Sequence, residues 1–325
     1  MTVTRPLISI CIPVYNMYPY VIQTIQSAVA QTYENIEVIV LENASKDESA
    51  HFINQRFAND TRVSIHTNDK TVPIYENWNM CVQKSNGSFF MVLNADDILS
   101  PVFIENCYRV FENKAGRNMG YVFSEWDLID ATNKLTHRPA FYSSSGIIPM
   151  NEELRINIIG SHTHPSSMLI RRSLYDEVGG YENDLGLAAD MHFKLKLNLK
   201  YDVGYLDHKL WYYRRHPGQE TSARNLQVLY SIYKVKKDIL SKMNDELFNV
   251  NEAWEQFMKR YETDIEVDLQ VEQKRDLKSY SFWKSKYEKE LGSTFNITMP
   301  DTITYKGDRK KKYSSYPLPK GSIVL

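Results

Sequence analysis

Apolar residues fall along the first hundred positions in two alternating rhythms. Leu7 to Val14 is a short, Ile-rich run, the signature of a strand buried on both faces. Pro13 is expected to end it, because proline has no N–H to give a sheet ladder. Val21, Ile22, Ile25 and Val29 then recur at helical spacing behind Pro19, a residue suited to a first helical turn. Ile36 to Leu41 predicts a second buried strand, Val63-Ser64-Ile65 a third, and Phe89 to Leu93 a fourth behind the turn at Asn86-Gly87. Strands alternating with helices predict a mostly parallel sheet covered by helices on both faces, an α/β class. In such sheets ligands lie beyond the carboxyl ends of the strands. Pro13-Val14-Tyr15-Asn16, Glu42-Asn43 and Asn94-Ala95-Asp96-Asp97 all fall at such ends.

The rhythm changes at Asn225. Leu226, Leu229, Tyr230 and Tyr233 have helical spacing, and Leu277, Tyr280, Trp283, Tyr287 and Leu291 form a second stripe that needs cover. Cover from the same chain is expected ahead of a homodimer contact. Beyond Lys306 the periodicity fades into Arg309-Lys310-Lys311-Lys312, Lys320 and interleaved Tyr305, Tyr313 and Tyr316. The expected division is a catalytic unit over 1–222, a helical region over 223–300 and a basic tail over 301–325. The tail reads as a solvated end or, alternatively, as a contact for an anionic membrane surface.

Composition narrows the class. The 39 Lys and Arg nearly cancel the 40 Asp and Glu, which argues against a nucleic-acid binder. No apolar run approaches the roughly 20 residues that cross a bilayer. The first residues run straight into a strand and lack signal-peptide form, so a cytoplasmic chain, peripheral at most to the inner face of the membrane, is expected. Cys11, Cys81 and Cys107 are far apart and odd in number, which reads as buried reduced thiols.

Three segments carry candidate chemistry. Asp96-Asp97, just past a buried strand, offers carboxylates to a hard divalent cation that keeps positions open for diphosphate oxygens. Taken alone the pair reads first as a cap for the helix beginning near Pro101. Asp190, at the start of a helical pattern, has the form of a general base or of a first-turn acid. His216, after an apparent edge strand over Lys209 to Tyr213, can complete a metal shell, with Arg214 or Arg215 free to meet phosphate oxygens. His162 and His164 read as loop residues near an acceptor. No G-x-G-x-x-G, no P-loop and no G-x-S-x-G is present, which removes dinucleotide-binding, triphosphatase and α/β-hydrolase readings.

Taken in order, these segments resemble family 2 glycosyltransferases of the bacterial polysaccharide-assembling type. The resemblance rests on Ile8 to Asn16, Gln26 to Tyr33 followed by Ile36 to Val40, Tyr75-Glu76-Asn77-Trp78-Asn79, Val178-Gly179-Gly180-Tyr181 through Asp190, and Tyr213-Arg214-Arg215-His216. It spans about residues 5 to 222 and implies a GT-A fold and an inverting transfer. By the same resemblance Pro13, Tyr15 and Glu42 would hold the nucleotide, with Asn77 and Arg214 also on the donor side. Asn94 and Asp96 stand at the ends of the D-x-D motif, with Asp96 and His216 as ligands of Mn²⁺ or Mg²⁺ and Asp190 as the base. The implied partners are a UDP-sugar donor and a glycan or lipid-linked acceptor. Three positions depart from the family pattern: Asn94 for the first Asp of D-x-D, Asn43 where a second acid is common, and Ala189 for the usual Glu before the base. Two rivals share the fold. A catalytically silent sugar-nucleotide or glycan binder would need no acceptor base, and a nucleotidyltransferase would carry glycines between Pro13 and Tyr20, where there are none.

Overall fold

A computed structural model describes residues 5–114, 117–219, 225–243, 248–292 and 316–325. Within it the chain runs β1 (Ile8–Val14), α1 (Tyr20–Val29), β2 (Ile36–Glu42), α2 (Ser49–Phe57), β3 (Val63–Thr67), α3 (Ile74–Gln83), β4 (Phe89–Val92), β5 (Ile98–Leu99), α4 (Phe103–Asn113) and β6 (Met119–Asp130). It continues through β7 (Leu135–Thr136), β8 (Gly146–Ile148), α5 (Met150–Ile159), β9 (Met168–Arg171), α6 (Arg172–Val178), α7 (Ala189–Asn198) and β10 (Asp202–Arg215). Then follow α8 (Asn225–Ser241), α9 (Val250–Arg275), α10 (Leu277–Leu291) and β11 (Ile323–Val324).

The expected sheet forms. Its order is β11-β8-β10-β6-β9-β4-β1-β2-β3, with β5 on β10 and β7 on β6. β3, β2, β1 and β4 run parallel, as do β6 and β10, while β9 is antiparallel between β4 and β6. The uninterrupted apolar run of β1 is explained by cover on both faces. Ile8, Ile10, Ile12 and Val14 join Val21 and Ile25 of α1 on one side, while Cys11 meets Trp78 and Cys81 of α3 on the other. Each fully buried Ile or Leu contributes about 1.5–3 kcal/mol relative to exposure. The three cysteines are buried and free, as their spacing predicts.

Two sequence expectations change. Pro13 does not end β1: it pairs in register with Leu41 of β2, and the pairing of β1 with β4 stops two residues earlier, at Cys11 and Val92. The proline therefore occupies a place where its other edge has no ladder to supply. The apparent edge strand over Lys209 to Tyr213 is part of the 14-residue β10, which lies between β6 and β8 and also carries β5. Its polar residues suggested an edge, but Trp211 and Arg214 are fully buried.

The helical region docks on the sheet unit. Leu226 and Tyr233 of α8, Phe257, Tyr261, Ile265 and Leu269 of α9 and Tyr287 of α10 form one buried cluster. The Tyr287 hydroxyl donates to the Leu226 carbonyl at 2.6 Å and that of Tyr261 to the Leu229 carbonyl at 2.8 Å. The Trp283–Tyr287–Leu291 stripe is thus covered by the same chain. His192 Nε2 and Asp238 Oδ2, 2.8 Å apart, tie α7 to α8. Within the expected tail, residues 316–325 lie against β8, with Ile323 opposite Ile147 and Tyr316 bridging Tyr142. Lys306 and Arg309 to Lys312 lie outside the described residues. Among the described residues no helix is long and apolar enough to cross a membrane.

Candidate active site

The carboxyl ends of β4 and β10 meet at Asp96. Asp96 Oδ2 lies 3.2 Å from His216 Nε2 and 3.4 Å from Gln219 Nε2. The His216 ring packs on Tyr20, centroid to centroid 4.6 Å. The structure thus joins the two residues assigned to a cation, 120 positions apart, with both side chains largely buried.

The Asp96-Asp97 pair is split. Asp97 turns into the interior, fully buried, and accepts the Arg214 backbone N–H at 3.1 Å and the Asn94 amide at 3.2 Å. Burial, and then the charge of Asp96, pushes its pKa well above the usual carboxylate range, with a Ser166 hydrogen bond opposing. One acid faces the site and the other braces it.

Other expected donor-side residues prove equally occupied. Arg214 is fully buried. Its Nε donates to the Asp96 carbonyl at 2.8 Å, Nη1 to the Asp130 carbonyl and the Asn133 amide oxygen, and Nη2 to Gln23 at 2.8 Å. That guanidinium fixes the Asp96 backbone rather than projecting toward a phosphate, and Arg215 is the exposed neighbour. Asn77 is buried in an amide cluster, accepting from Asn68 at 2.9 Å, and Asn68 also donates to Asn43 at 2.9 Å. This cluster clamps α3 to the ends of β2 and β3, which accounts for an amide at 43. Glu42 is buried with Oε1 taking the Ser45 N–H at 2.7 Å, while Tyr15 stands 39% exposed beside it on the β1 loop. Asn16 sits at positive φ of 53°, its side chain accepting the Lys46 N–H at 2.7 Å. The β1 and β2 loops are therefore pinned together, with Pro13 and Glu42 buried at the neighbouring strand ends and Tyr15 exposed just beyond β1.

Asp190 opens into a cavity of about 190 Å³. Its Oδ1 accepts the Tyr75 hydroxyl at 3.0 Å. Burial raises its pKa, against the Met191 N–H, the Tyr75 hydroxyl and the Lys194 charge, which favour the carboxylate. Tyr75 was not singled out by the sequence; the signal lay one residue before Glu76-Asn77, but its partner is 115 positions away. Lys194, four residues along α7, is buried with its ammonium on Asn157, Ser161 and the Thr163 carbonyl, and burial lowers its pKa to about 8.

His162 and His164 lie in the loop that leads into the turn at Pro165 and are largely buried. His162 stacks on Phe141 at 4.0 Å, and His164 lines the Asp190 cavity, its pKa pulled down to about 3 by burial. The short turn Pro165–Ser167 spans both halves of the site. His164 and Pro165 line the cavity, while Ser166 Oγ accepts the Asn94 N–H at 3.1 Å.

Among the described residues no three His, Cys, Asp or Glu side chains gather as a closed metal cage. A carboxylate and an imidazole at one point suit a hard divalent ion that takes its remaining ligands from substrate oxygens, as Mg²⁺ does in phosphate-binding sites.

Comparison with known proteins agrees with this architecture. The profile described as glycosyl transferase family 2 matches residues 9–179. Chondroitin synthase of Escherichia coli is 27% identical over 272 residues, covering 80% of this chain and 37% of that protein. An uncharacterised glycosyltransferase of Rickettsia prowazekii (strain Madrid E) is 26% identical over 313 residues, covering 92% of this chain and 91% of the relative. The chain thus spans well under half of the first and nearly all of the second. Among solved structures, S. aureus TarS 1-349 with UDP-GlcNAc superposes with a TM-score of 0.63 at 16% identity, covering 78% of this chain and 72% of that one. The mannosyltransferase PcManGT of Pyrobaculum calidifontis with GDP-Man and Mn²⁺ gives 0.54 at 16% identity, covering 78% and 74%. These likenesses describe a shared fold.

Proposed function

Because this chain belongs to glycosyl transferase family 2, we propose that it transfers a sugar with inversion from a UDP-sugar to a hydroxyl of a glycan or lipid-linked acceptor in surface polysaccharide assembly. The observation that carries the proposal is the division of labour among the acids. Asp97 is consumed by the fold, Asp96 faces His216 at the strand ends, and Asp190 opens into a separate cavity joined to them by the Pro165–Ser167 turn. A UDP-sugar is preferred because a relative in fold, TarS, is described with UDP-GlcNAc.

In this reading the acceptor hydroxyl gives its proton to Asp190 as its oxygen attacks the anomeric carbon. The bond from that carbon to the diphosphate oxygen breaks, and the departing UDP keeps the electron pair. Tyr75 holds the carboxylate in place and Lys194 favours its ionised form. Pro13, Tyr15 and Glu42 hold the base and ribose, and Asn94 keeps the Asp96 turn closed through Asp97 and Ser166. Mn²⁺ or Mg²⁺ between Asp96 and His216 would offset charge on the leaving diphosphate. The interior bonds of Arg214 and Asn77 make both supports of the donor site.

Product analysis tests the proposal. A screen of nucleotide sugars with Mn²⁺ present, read by protection against thermal unfolding, selects the donor. Release of nucleoside diphosphate with acceptor glycosylation is the expected result; pyrophosphate release, or tight donor binding with no turnover on any acceptor, overturns it.

A further inference from the structure

One wall of the Asp190 cavity comes from the helical region. Val228 and Ile232, one turn apart on α8, line it together with Leu187, Met191, Asp190 and Lys194. The helix is firmly seated there. Ser231 Oγ accepts the Leu187 N–H at 3.2 Å, and His192 pairs with Asp238 at 2.8 Å. Gly186, at φ +70°, lies so close that a Cβ would meet Ser231 Oγ at 2.5 Å. Only glycine admits this contact. The α8 wall therefore holds a fixed position against the segment that leads into Asp190.

The chemistry of the wall is apolar. The cavity's cation, Lys194, gives its ammonium to Asn157, Ser161 and the Thr163 carbonyl, so no proton remains for an incoming anion. An anionic substituent there would face the Asp190 carboxylate in a poorly solvated space, which is costly.

We propose that Val228 and Ile232 of α8 select the acceptor. They would admit a sugar that turns a neutral, hydrocarbon-edged face or a methyl-bearing substituent toward the helix, and reject one with a carboxylate or phosphate at that position. The proposal rests on reading the Asp190 cavity as the acceptor site, and its test is separable from that reading. The probes are p-nitrophenyl β-glycosides of N-acetylglucosamine, N-acetylgalactosamine, glucose and glucuronic acid, with UDP affinity measured in parallel on the full chain. Filling the wall with Val228→Phe or Ile232→Trp is expected to raise the acceptor KM by at least about tenfold, the scale of methylene-sized discrimination. UDP affinity is expected to match the parent's, because neither residue lies at the Asp96–His216 side of the site. Ile232→Ala, which needs no new space, is expected to compress the preference among the neutral glycosides, and Ile232→Lys to raise the glucuronide relative to glucose. Unchanged acceptor KM in the filled variants, or unchanged ranking in Ile232→Ala where those fail to fold, overturns the proposal. Normal turnover by Asp190→Asn with altered acceptor ranking in the α8 variants would instead remove only the base.

Discussion

The hydroxyl of Tyr75 is the most informative single group to remove. Tyr75→Phe deletes one oxygen from a fully packed side chain and leaves its ring contacts with Trp78 and Tyr181 intact. What disappears is the 3.0 Å hydrogen bond to Asp190 Oδ1. A hydrogen bond to a charged group contributes about 1.5–3 kcal/mol, and each pH unit of pKa corresponds to about 1.4 kcal/mol. Burial already raises the Asp190 pKa, and the lost donor had favoured the carboxylate. The sign is therefore upward. The acidic limb of the pH dependence of kcat should move to higher pH by about 1 to 2 units, while the rate on the alkaline plateau falls much less. Steady-state turnover over a pH series measures this, with thermal unfolding as the control for packing. An unshifted acid limb in a folded Tyr75→Phe protein would refute both the base and its tyrosine support.

Asp190→Asn is expected to reduce turnover by about 10²–10⁴ with donor binding retained. It should also stabilise the fold: the raised carboxyl pKa favours folding below the unfolded value and loses that contribution as pH rises through the folded one, so the variant's advantage in Tm should be clear at pH 8 and absent near pH 3. Asp96→Ala or chelator should abolish transfer, with Mn²⁺ or Mg²⁺ restoring the chelated parent alone; full activity in excess chelator would exclude the metal. Arg214→Met should cost about 3 kcal/mol or more, since it strands buried acceptors, and Arg214→Lys should rescue little because it lacks the fork geometry; a loss of UDP affinity without loss of stability would restore it as a phosphate ligand. Replacing Arg309, Lys310, Lys311 and Lys312 together by Ala should weaken sedimentation with anionic liposomes by about 1 kcal/mol per residue, and equal binding at low salt would remove the membrane role. Substitution is preferable to truncation, which would also delete β11.

The periodicity of the first hundred residues places β1, β2, β3 and β4 within a residue or two: β1, β2 and β4 are buried on both faces and leave apolar runs, while the half-exposed edge strand β3 shows only Val63 and Ile65. Asp96, His216 and Asp190 were legible because short motifs follow strand ends or open a helix. The commitments of neighbouring polar groups were not. Nothing local separates Asp96 from Asp97; the difference is made by the Arg214 N–H and Ser166, 117 and 69 or so positions away in the fold's closure. Arg214 and Arg215 are likewise adjacent in sequence, yet alternation along β10 buries one and exposes the other. β10 resembles an edge strand because its Lys, Tyr and Arg residues look like solvent-facing positions, whereas Lys209 and Arg214 find partners inside.

The alanine at 189 follows from the same accounting. Ala189 is fully buried in the cluster formed with Tyr175, Tyr181 and Phe193, so a carboxylate there would lie among aromatic rings without a partner. The charge that conditions Asp190 comes instead from the next turn of α7. Lys194 stands four residues on, facing Asp190 on one side and Glu153 on the other, and both acids favour its ammonium form. Burial raises the Glu153 pKa as well, against the same lysine. One buried cation thus serves two acids. The prediction is an asymmetry between two neutralising changes. Glu153→Gln should leave Lys194 facing Asp190 alone and move the acid limb of turnover downward. Lys194→Met should move it upward, because the carboxylate then loses its nearest cation in a poorly solvated cavity. Limbs that move together, or not at all, would show that Asp190 is tuned by burial and Tyr75 without help from this pair.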